Sequence, residues 1–453
     1  MKNDIDIKKE SSMFHVIALL ISLCIMPLSI CSAEQNTDSS QYWPQWRGPL
    51  VTGEAPYGDP PVRWDEKTNI RWKVTLPGLG HATPVVWGDR IFVLTAVSAV
   101  GSDSNQQDLI ERMSGSSIRN NTFRYEVLAI NRTDGSLLWH RTARVEPPHE
   151  GRHEDASWAS CSPVTDGEHL IASFGSRGFY CYDMEGNLQW EKDFGDMNIR
   201  YEWGEGSSPA LDGDKLIITW DHTGRSFIVA LDKSTGHEIW RKNRNDGTSW
   251  ATPAIIEHNG KKQVVASAIQ RVRSYDLESG DILWETRGMT ANPIPSPVAA
   301  NGIVYLMGGY RESILQAISL DKAHGDAAAS DAIVWEYNQD TPYVPSPLLY
   351  DGILYFLKSN QNILSCFNAR TGKPYYTRQR LDGINGIYAS PVGAQGRVYF
   401  AGRNGVTLVI KHGSRFEVLA MNKLNDRFDA SPVIVGKELF LRGHNYLYCI
   451  ASE

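Results

Sequence analysis

A Ser-Pro or Thr-Pro pair recurs along this 453-residue chain, and each pair precedes a short apolar stretch that predicts a β-strand. The eight pairs are Thr83-Pro84, Ser162-Pro163, Ser208-Pro209, Thr252-Pro253, Ser296-Pro297, Ser346-Pro347, Ser390-Pro391 and Ser431-Pro432. From the third pair to the fifth, each step is 44 residues. A period of this length predicts one supersecondary unit stacked many times, so function must lie where the repeats differ.

The third repeat shows the predicted unit most clearly. Its residues from Ser208 to Trp240 form four short runs, separated by turns such as Asp212-Gly213. Such runs between glycine-rich turns predict an antiparallel four-stranded meander. An aromatic residue follows the last turn at a fixed offset, where we expect it to wedge against the next unit. The aromatic residues in this slot are Trp139, Trp190, Trp240, Trp284, Trp335 and Tyr376.

The two ends of the chain complement each other. The eighth repeat contains three predicted strands, and an unassigned strand at 69–74, which carries Trp72, precedes the first repeat. If this strand completes the last sheet, a ring closes without an exposed sheet edge. The sequence therefore predicts an all-β, eight-bladed β-propeller of four-stranded antiparallel blades over 69–453. The strand around Trp72 is expected to close it by pairing with the C-terminal blade.

Cysteines occupy small-residue positions of the repeat. Cys181, Cys366 and Cys449 fall in the slot of the third strand that other repeats fill with Ala or Ser, and Cys161 precedes a Ser-Pro pair. Cysteine in such slots is expected to act as a small buried hydrophobe rather than to form a disulfide.

The N-terminus has the pattern of an export signal. Lys8 and Lys9 precede an apolar run at 16–30, and small residues up to Ala33 follow it. We therefore predict a signal peptide at 1–33, an extension at 34–68 and a periplasmic or secreted protein without a transmembrane segment after cleavage. An uncleaved anchor and lipid attachment at Cys31 remain alternatives. The net charge of −7 and the lack of a basic block argue against a nucleic-acid partner.

Two segments carry a family resemblance. The run from Ala230 to Trp240 resembles the tryptophan-docking motif of PQQ-like (quinoprotein-like) β-propellers, and the run from Trp43 to Pro49 resembles the start of exported bacterial members. The resemblance implies the propeller fold from Trp43 onward. It also implies two kinds of function, because the superfamily includes quinone dehydrogenases and an outer-membrane assembly scaffold.

PQQ is a possible cofactor by this resemblance alone. The dehydrogenases of the superfamily need a stacking Trp, a bridge between adjacent cysteines, a calcium site and a catalytic Asp. No two cysteines adjoin in this sequence, so no catalytic residue and no metal ligand is carried over.

One face of the predicted ring combines basic, acidic and aromatic residues. Loops between the second and third strands carry basic residues in nearly every blade: Arg177, Arg225, Arg271, Arg311, Lys358, Arg403 and Arg442. Loops that join the blades carry acidic and aromatic residues, among them Trp158, Glu205, Trp250, Tyr343 and Tyr388. These side chains either bridge adjacent blades or form a polar cradle for a ligand at the funnel mouth.

Two further segments depart from the repeat. His149-Glu150-Gly-Arg-His153 matches the zinc-protease string, but that motif requires a helix and here follows Pro147-Pro148. The polar stretch at 97–121 is expected to be a long loop in the first blade.

The sequence favours an exported, non-catalytic binding or assembly scaffold that acts through one loop face. Its partners would be an envelope or periplasmic protein, or a polysaccharide. A PQQ-dependent oxidoreductase with the quinone in the central funnel is the alternative. A third hypothesis is carbohydrate recognition by Trp158, Tyr201, Trp250 and Tyr388.

Overall fold

The computed structural model describes residues 39–99 and 121–452. The predicted signal peptide and most of the predicted loop at 97–121 lie outside these residues. Within the described ranges the regular structure is β-sheet apart from three short 3₁₀ turns, at Ser39–Gln41, Gly175–Arg177 and Arg200–Glu202. In those ranges, no helix has the length and apolar character needed to cross a bilayer.

The first half of the chain forms the closing strand and blades one to four. These strands are β1 (Ile70–Thr75); β2 (Val85–Trp87), β3 (Arg90–Ser98), β4 (Phe123–Asn131) and β5 (Leu137–Glu146) in blade one; β6 (Val164–Thr165), β7 (His169–Ser173), β8 (Phe179–Asp183) and β9 (Leu188–Lys192) in blade two; β10 (Ala210–Asp212), β11 (Lys215–Trp220), β12 (Phe227–Asp232) and β13 (Glu238–Asn243) in blade three; β14 (Ala254–His258), β15 (Lys261–Ala266), β16 (Arg271–Asp276) and β17 (Ile282–Arg287) in blade four.

The second half forms blades five to eight. These strands are β18 (Val298–Ala300), β19 (Ile303–Gly308), β20 (Ile314–Ser319) and β22 (Ile333–Tyr337) in blade five, with β21 (Gly325–Asp326) in the connection between β20 and β22; β23 (Leu348–Tyr350), β24 (Ile353–Leu357), β25 (Ile363–Asn368) and β26 (Pro374–Arg380) in blade six; β27 (Val392–Ala394), β28 (Arg397–Ala401), β29 (Val406–Lys411) and β30 (Val418–Lys423) in blade seven; β31 (Val433–Val435), β32 (Glu438–Arg442) and β33 (Tyr446–Ala451) in blade eight.

Eight sheets follow one another around the ring, which confirms the predicted all-β, eight-bladed propeller. Blades one to seven are antiparallel meanders, and blade eight has the order β1-β33-β32-β31. Blade four departs from the predicted four strands, because β21 adds to its outer edge in parallel with β17. The insertion between β20 and β22 of blade five supplies this fifth strand. In blade one, β3 extends to Ser98, two residues into the predicted loop.

The N-terminal strand lies in the C-terminal blade. Strand β1 pairs antiparallel with β33, with Trp72 opposite Cys449 and Val74 opposite Leu447. The outer edge of blade eight therefore comes from the beginning of the propeller and its three other strands come from the end.

The residues that precede the eight prolines form a closed ring of hydrogen bonds. In each blade the main-chain N–H of the Ser or Thr donates to the side-chain hydroxyl of its counterpart in the next blade, at 2.8–3.2 Å. The last bond runs from the N–H of Ser431 to Oγ1 of Thr83 and joins blade eight to blade one. A proline favours an extended conformation for the residue before it, which explains why the pair recurs at this position.

The aromatic slot docks most blades on the next, as predicted. Trp240 is 8% exposed, and its Nε1 donates to the Leu277 carbonyl of blade four at 2.9 Å. Gly280 of the same blade has a φ of +71°, and a Cβ there would lie 2.6 Å from the Trp240 ring. Nε1 atoms donate to a carbonyl of the next blade in the same way from Trp72, Trp139, Trp190 and Trp335. Trp284 differs, since its Nε1 donates to Gln263 of its own blade.

The four cysteines of the described ranges are free and buried. Burial raises the pKa of the Cys181, Cys366 and Cys449 thiols to about 12. These side chains are packed as small hydrophobes in the sheets.

The segment before β1 runs along the inner strands of several blades. Trp43 exchanges main-chain hydrogen bonds with Val86 of blade one, and the Pro44 carbonyl accepts from Thr165 of blade two. Nε1 of Trp46 donates to Oγ of Ser296 in the hydroxyl ring at 3.0 Å. Arg47, 1% exposed, donates to the carbonyls of Pro347 and Pro391 in blades six and seven. This segment therefore fills the central channel below the hydroxyl ring.

Candidate functional site

The loops that join the blades surround a cavity of about 240 Å³ at the centre of the ring. Five residues of the hydroxyl ring, Ser162, Ser208, Thr252, Ser296 and Ser431, line it together with Trp46. Because Trp46 bonds to Ser296 from the N-terminal segment, we call this end the floor of the cavity. The face on which the blade-joining loops emerge is called the loop face.

Aromatic rings form much of the cavity wall. Trp203, Trp250, Tyr343 and Tyr388 line it, each from a different blade-joining loop. The rings of Trp203 and Trp250 are 6.3 Å apart, and Nε1 of Trp250 donates to the Gly204 carbonyl at 2.7 Å. Tyr310 bridges Trp203 and Tyr343, with ring centroids at 6.4 and 4.9 Å. These contacts hold the aromatic wall in one arrangement.

A second part of the wall is a charged network centred on Asp155. Asp155 lies in the loop that joins blades one and two. Its carboxylate nevertheless pairs with Arg403 of blade seven and with Arg427 of the loop that joins blades seven and eight. The Tyr388 hydroxyl donates to it at 2.9 Å, and Arg403 lies 3.2 Å from the centre of the Tyr388 ring. Although burial opposes ionisation, the Arg403 charge holds the pKa of Asp155 below its usual value. The loop at 147–163 is thus tied across blade eight.

Asp429 continues this network and belongs to a group with metal-ligand geometry. Its carboxylate pairs with Arg403, Arg427 and His444, and His81 stacks on His444 with ring centroids 5.2 Å apart. His81, Asp429 and His444 place their ligand atoms close together. A metal ion there would have to displace two guanidinium groups from Asp429 and would be repelled by both. The arrangement therefore suits an internal ion-pair network better than a cation site.

Glu205 differs from the other carboxylates of the cavity, because no arginine of the described residues forms an ion pair with it. Ser176 donates to it from its N–H, at 2.7 Å, and from its hydroxyl. Nε2 of His149 lies 3.7 Å from Oε1. Burial raises the pKa of Glu205 to about 7, and the hydrogen bonds from Ser176 and the more distant Arg177 charge offset this only in part. The ionised carboxylate thus lacks full compensation.

The structure brings four of the predicted site residues to the cavity: Glu205, Trp250, Tyr343 and Tyr388. Trp158 lines a smaller cavity beside it, together with Arg177 and Glu205. The predicted arginines are distributed differently. Within the described part of the chain, no lysine or arginine is among the residues that line the central cavity.

The arginines mostly bind within or between blades. Arg177 pairs with Glu146 and Asp196, and Arg271 pairs with Asp326 of β21. Arg442 is 2% exposed and donates to the carbonyls of Ala82 and Leu94, which joins blade eight to blade one. Burial lowers the pKa of Arg442 to about 9.

Two of the predicted basic residues remain at the surface. Arg225 and Arg311 are exposed, and the Arg311 guanidinium lies 5.2 Å from the centre of the Tyr310 ring. Arg311 is thereby next to the aromatic wall, whereas Arg403 lies behind the cavity in the charged network.

The His149–His153 string does not form a zinc-protease site. No helix occurs at 147–163. Nε2 of His149 contacts the Met197 carbonyl at 2.7 Å, Glu150 accepts from the N–H of Ile199, and Nδ1 of His153 accepts from the N–H of Asp155. These contacts hold the joining loops to each other.

Two aromatic residues of the cavity were missed by sequence reasoning. Trp46 belongs to the run that carried the family resemblance, but its position in the sequence does not place it under the cavity. Trp203 lies in the joining loop between blades two and three, where Tyr201 and Glu205 were selected. An aromatic residue two positions before a predicted site residue was the available signal.

The lining fits a carboxylate-bearing quinone such as PQQ poorly. Asp155, Glu205 and Asp429 face the cavity, and the arginines near it are committed to Asp155 and Asp429. An anionic ligand would therefore meet like charges without a free basic partner in the lining.

Comparison with known proteins gives matches to two kinds of propeller. A family model described as outer membrane protein assembly factor BamB matches residues 180–330. An outer membrane protein assembly factor BamB of Francisella salina is 28% identical over 98 residues, which is 22% of this chain and 17% of that protein. The aligned stretch thus spans less than a fifth of that relative.

Two solved structures have similar folds. BamB from Moraxella catarrhalis superposes with a TM-score of 0.57 at 13% identity, over 84% of this chain and 99% of that one. A europium-containing methanol dehydrogenase superposes with a TM-score of 0.61 at 10% identity, over 90% and 91% of the two chains. Identities this low show the shared fold alone. The sequence repeat and the eight sheets make the chain an eight-bladed β-propeller, and these matches show that it is similar to PQQ-like propellers.

Proposed function

We propose that this protein is an exported binding or assembly scaffold that engages an envelope or periplasmic partner through the loop face. The observation that carries the proposal is the cavity itself. Its floor is occupied by the N-terminal segment, and its walls are the loops that join the blades. A rigid scaffold with irregular loops at one end is a common arrangement for recognition.

The rim of the loop face also has features of a contact surface. Tyr201 is 65% exposed and has a φ of +55°, and Glu202 next to it has a φ of +53°. Two successive non-glycine residues in this conformation cost free energy that the surrounding structure must offset. Arg200 covers the Tyr201 ring at 5.0 Å, so an aromatic and basic surface is presented to solvent.

The kind of partner follows from the comparisons and the predicted export signal. The matches to outer membrane assembly factors favour an envelope protein as the partner, and a polysaccharide is the second candidate, which the aromatic wall would suit. Neither the composition nor the cavity lining favours a nucleic acid.

Affinity capture from envelope extracts tests the proposal. The tagged full chain is compared with a rim variant, Tyr201→Ser combined with Arg311→Ser, which alters exposed residues only. The matched control carries Leu188→Ser and Val418→Ser on the outer strands, where these side chains are 51% and 48% exposed. We expect the rim variant to lose its specific partners and the control to retain them. Recovery unchanged by the rim variant would show that this face is not used.

A further inference from the structure

The central cavity combines aromatic faces with a carboxylate that pairs with no lysine or arginine of the described ranges 39–99 and 121–452. Glu205 lines this cavity together with Trp203 and Trp250, and only 14% of its side chain is exposed. Among the described residues, the one basic side chain within ion-pair distance of the Glu205 carboxylate is His149, at 3.7 Å. A buried carboxylate in such a setting favours a ligand that supplies positive charge.

The other acidic residues of the cavity do not need such a ligand. Asp155 and Asp429 share the Arg403 and Arg427 guanidinium groups, and His444 adds a further partner to Asp429. The charge of this network is therefore balanced within the protein. Glu205, on the aromatic side of the cavity, is left as the position at which a ligand's charge would be most stabilised.

The aromatic rings supply the second half of the recognition. A cation near the face of a Trp or Tyr ring is attracted by the ring quadrupole. Trp46, Trp203, Trp250, Tyr343 and Tyr388 all line the same space. Several aromatic rings that line one cavity are how proteins recognise quaternary ammonium and methyl-lysine groups. The cavity of about 240 Å³ has room for one small organic cation and excludes folded chain.

We propose that the central cavity is a binding site for an alkylammonium group, with Glu205 as its counter-charge and the Trp203–Trp250 pair as its aromatic wall. A lysine side chain of a bound partner and a free quaternary ammonium compound both have this chemistry. The inference rests on the proposed function in that the same face would present the site to its partner. It is tested without the partner, so its failure would leave the capture experiment standing.

Calorimetric titration of the full chain at pH 8 tests the site with three probes. Choline carries the quaternary ammonium group, 3,3-dimethylbutan-1-ol is its uncharged carbon isostere, and Nα-acetyl-lysine methylamide carries the primary ammonium of a lysine. We expect at least one cation to bind at least 10-fold more tightly than the isostere. Preference for the lysine probe would identify a partner side chain as the source, and preference for choline would identify a free ligand.

Two variants assign the effect to the proposed residue. Glu205→Gln keeps the size of the side chain and removes its charge, so cation binding should weaken at least 10-fold. Glu126→Gln is the matched control, because Glu126 is buried and paired with Arg124 in blade one, outside the cavity lining. Circular dichroism establishes that both variants are folded. Equal binding of cation and isostere, no cation binding up to about 10 mM, or a folded Glu205→Gln variant with unchanged affinity would each overturn the proposal.

Discussion

Replacing Trp240 by Ala tests whether the aromatic slot is what holds successive blades together. Trp240 is 8% exposed, and a tryptophan so placed buries roughly 200 Å² of surface. At about 25 cal/mol per Å² this burial corresponds to at most about 5 kcal/mol. The indole also loses its hydrogen bond to the Leu277 carbonyl, which contributes about 1 kcal/mol. Since large-to-small core substitutions of this kind cost about 3–5 kcal/mol, we expect a loss in that range.

Urea unfolding followed by far-UV circular dichroism measures this loss as a shift of the transition midpoint. Ile239→Ala is the matched control, because Ile239 precedes Trp240 in the same strand and is 43% exposed. The control should change stability by less than about 1 kcal/mol. A Trp240→Ala variant no less stable than the control would refute the argument that this contact between blades three and four stabilises the ring.

Three other predictions address closure, the charged loop and Glu205. Deleting Ile70–Thr75 exposes the edge of β33 and should produce aggregates in size-exclusion chromatography with light scattering, whereas a stable monomer would contradict closure by β1. Asp155→Asn should speed amide hydrogen exchange at 147–163 at least 10-fold and cost less than about 2 kcal/mol overall, while Asp193→Asn, on a more exposed pair, should not. Glu205→Gln should raise the melting temperature at pH 8 and leave it nearly unchanged at pH 4. Because the pKa of Glu205 is raised in the folded state to about 7, its ionisation penalises folding increasingly from about pH 4.5 to 7, by up to about 3 kcal/mol. An equal effect at both pH values would show that this charge is compensated.

The repeat could be predicted because its signals are local and occur once in every blade. The Ser-Pro and Thr-Pro pairs mark the start of each inner strand, and the aromatic slot follows the same turn in most repeats. The sequence therefore specified the number of blades, their order and the side of each blade that docks on the next. A single repeat with its turns, such as 208–240, specifies the strands of one blade, and the eight recurrences together with the strand at 69–74 give the number of blades.

The site was predicted only in part, because its contacts join loops that are far apart in the sequence. Asp155 and Arg403 are 248 residues apart, and Trp46 reaches a serine 250 residues further along. No period or motif relates such positions, since loops differ from blade to blade. The arginines illustrate this point: the sequence placed all of them on one face, but the fold assigned Arg442 to backbone carbonyls and Arg403 to carboxylates.

By itself, the amino-acid sequence determined a closed ring of eight similar sheets, because short-range patterns of turns, prolines and aromatic residues repeat in every unit. Only the tertiary structure decided which loops meet above the ring and that the N-terminal segment fills the channel beneath it. It also decided that Glu205 faces a cavity while the neighbouring acidic residues are neutralised. The physical reason is that the electrostatic surroundings of a side chain depend on what folding brings near it in space.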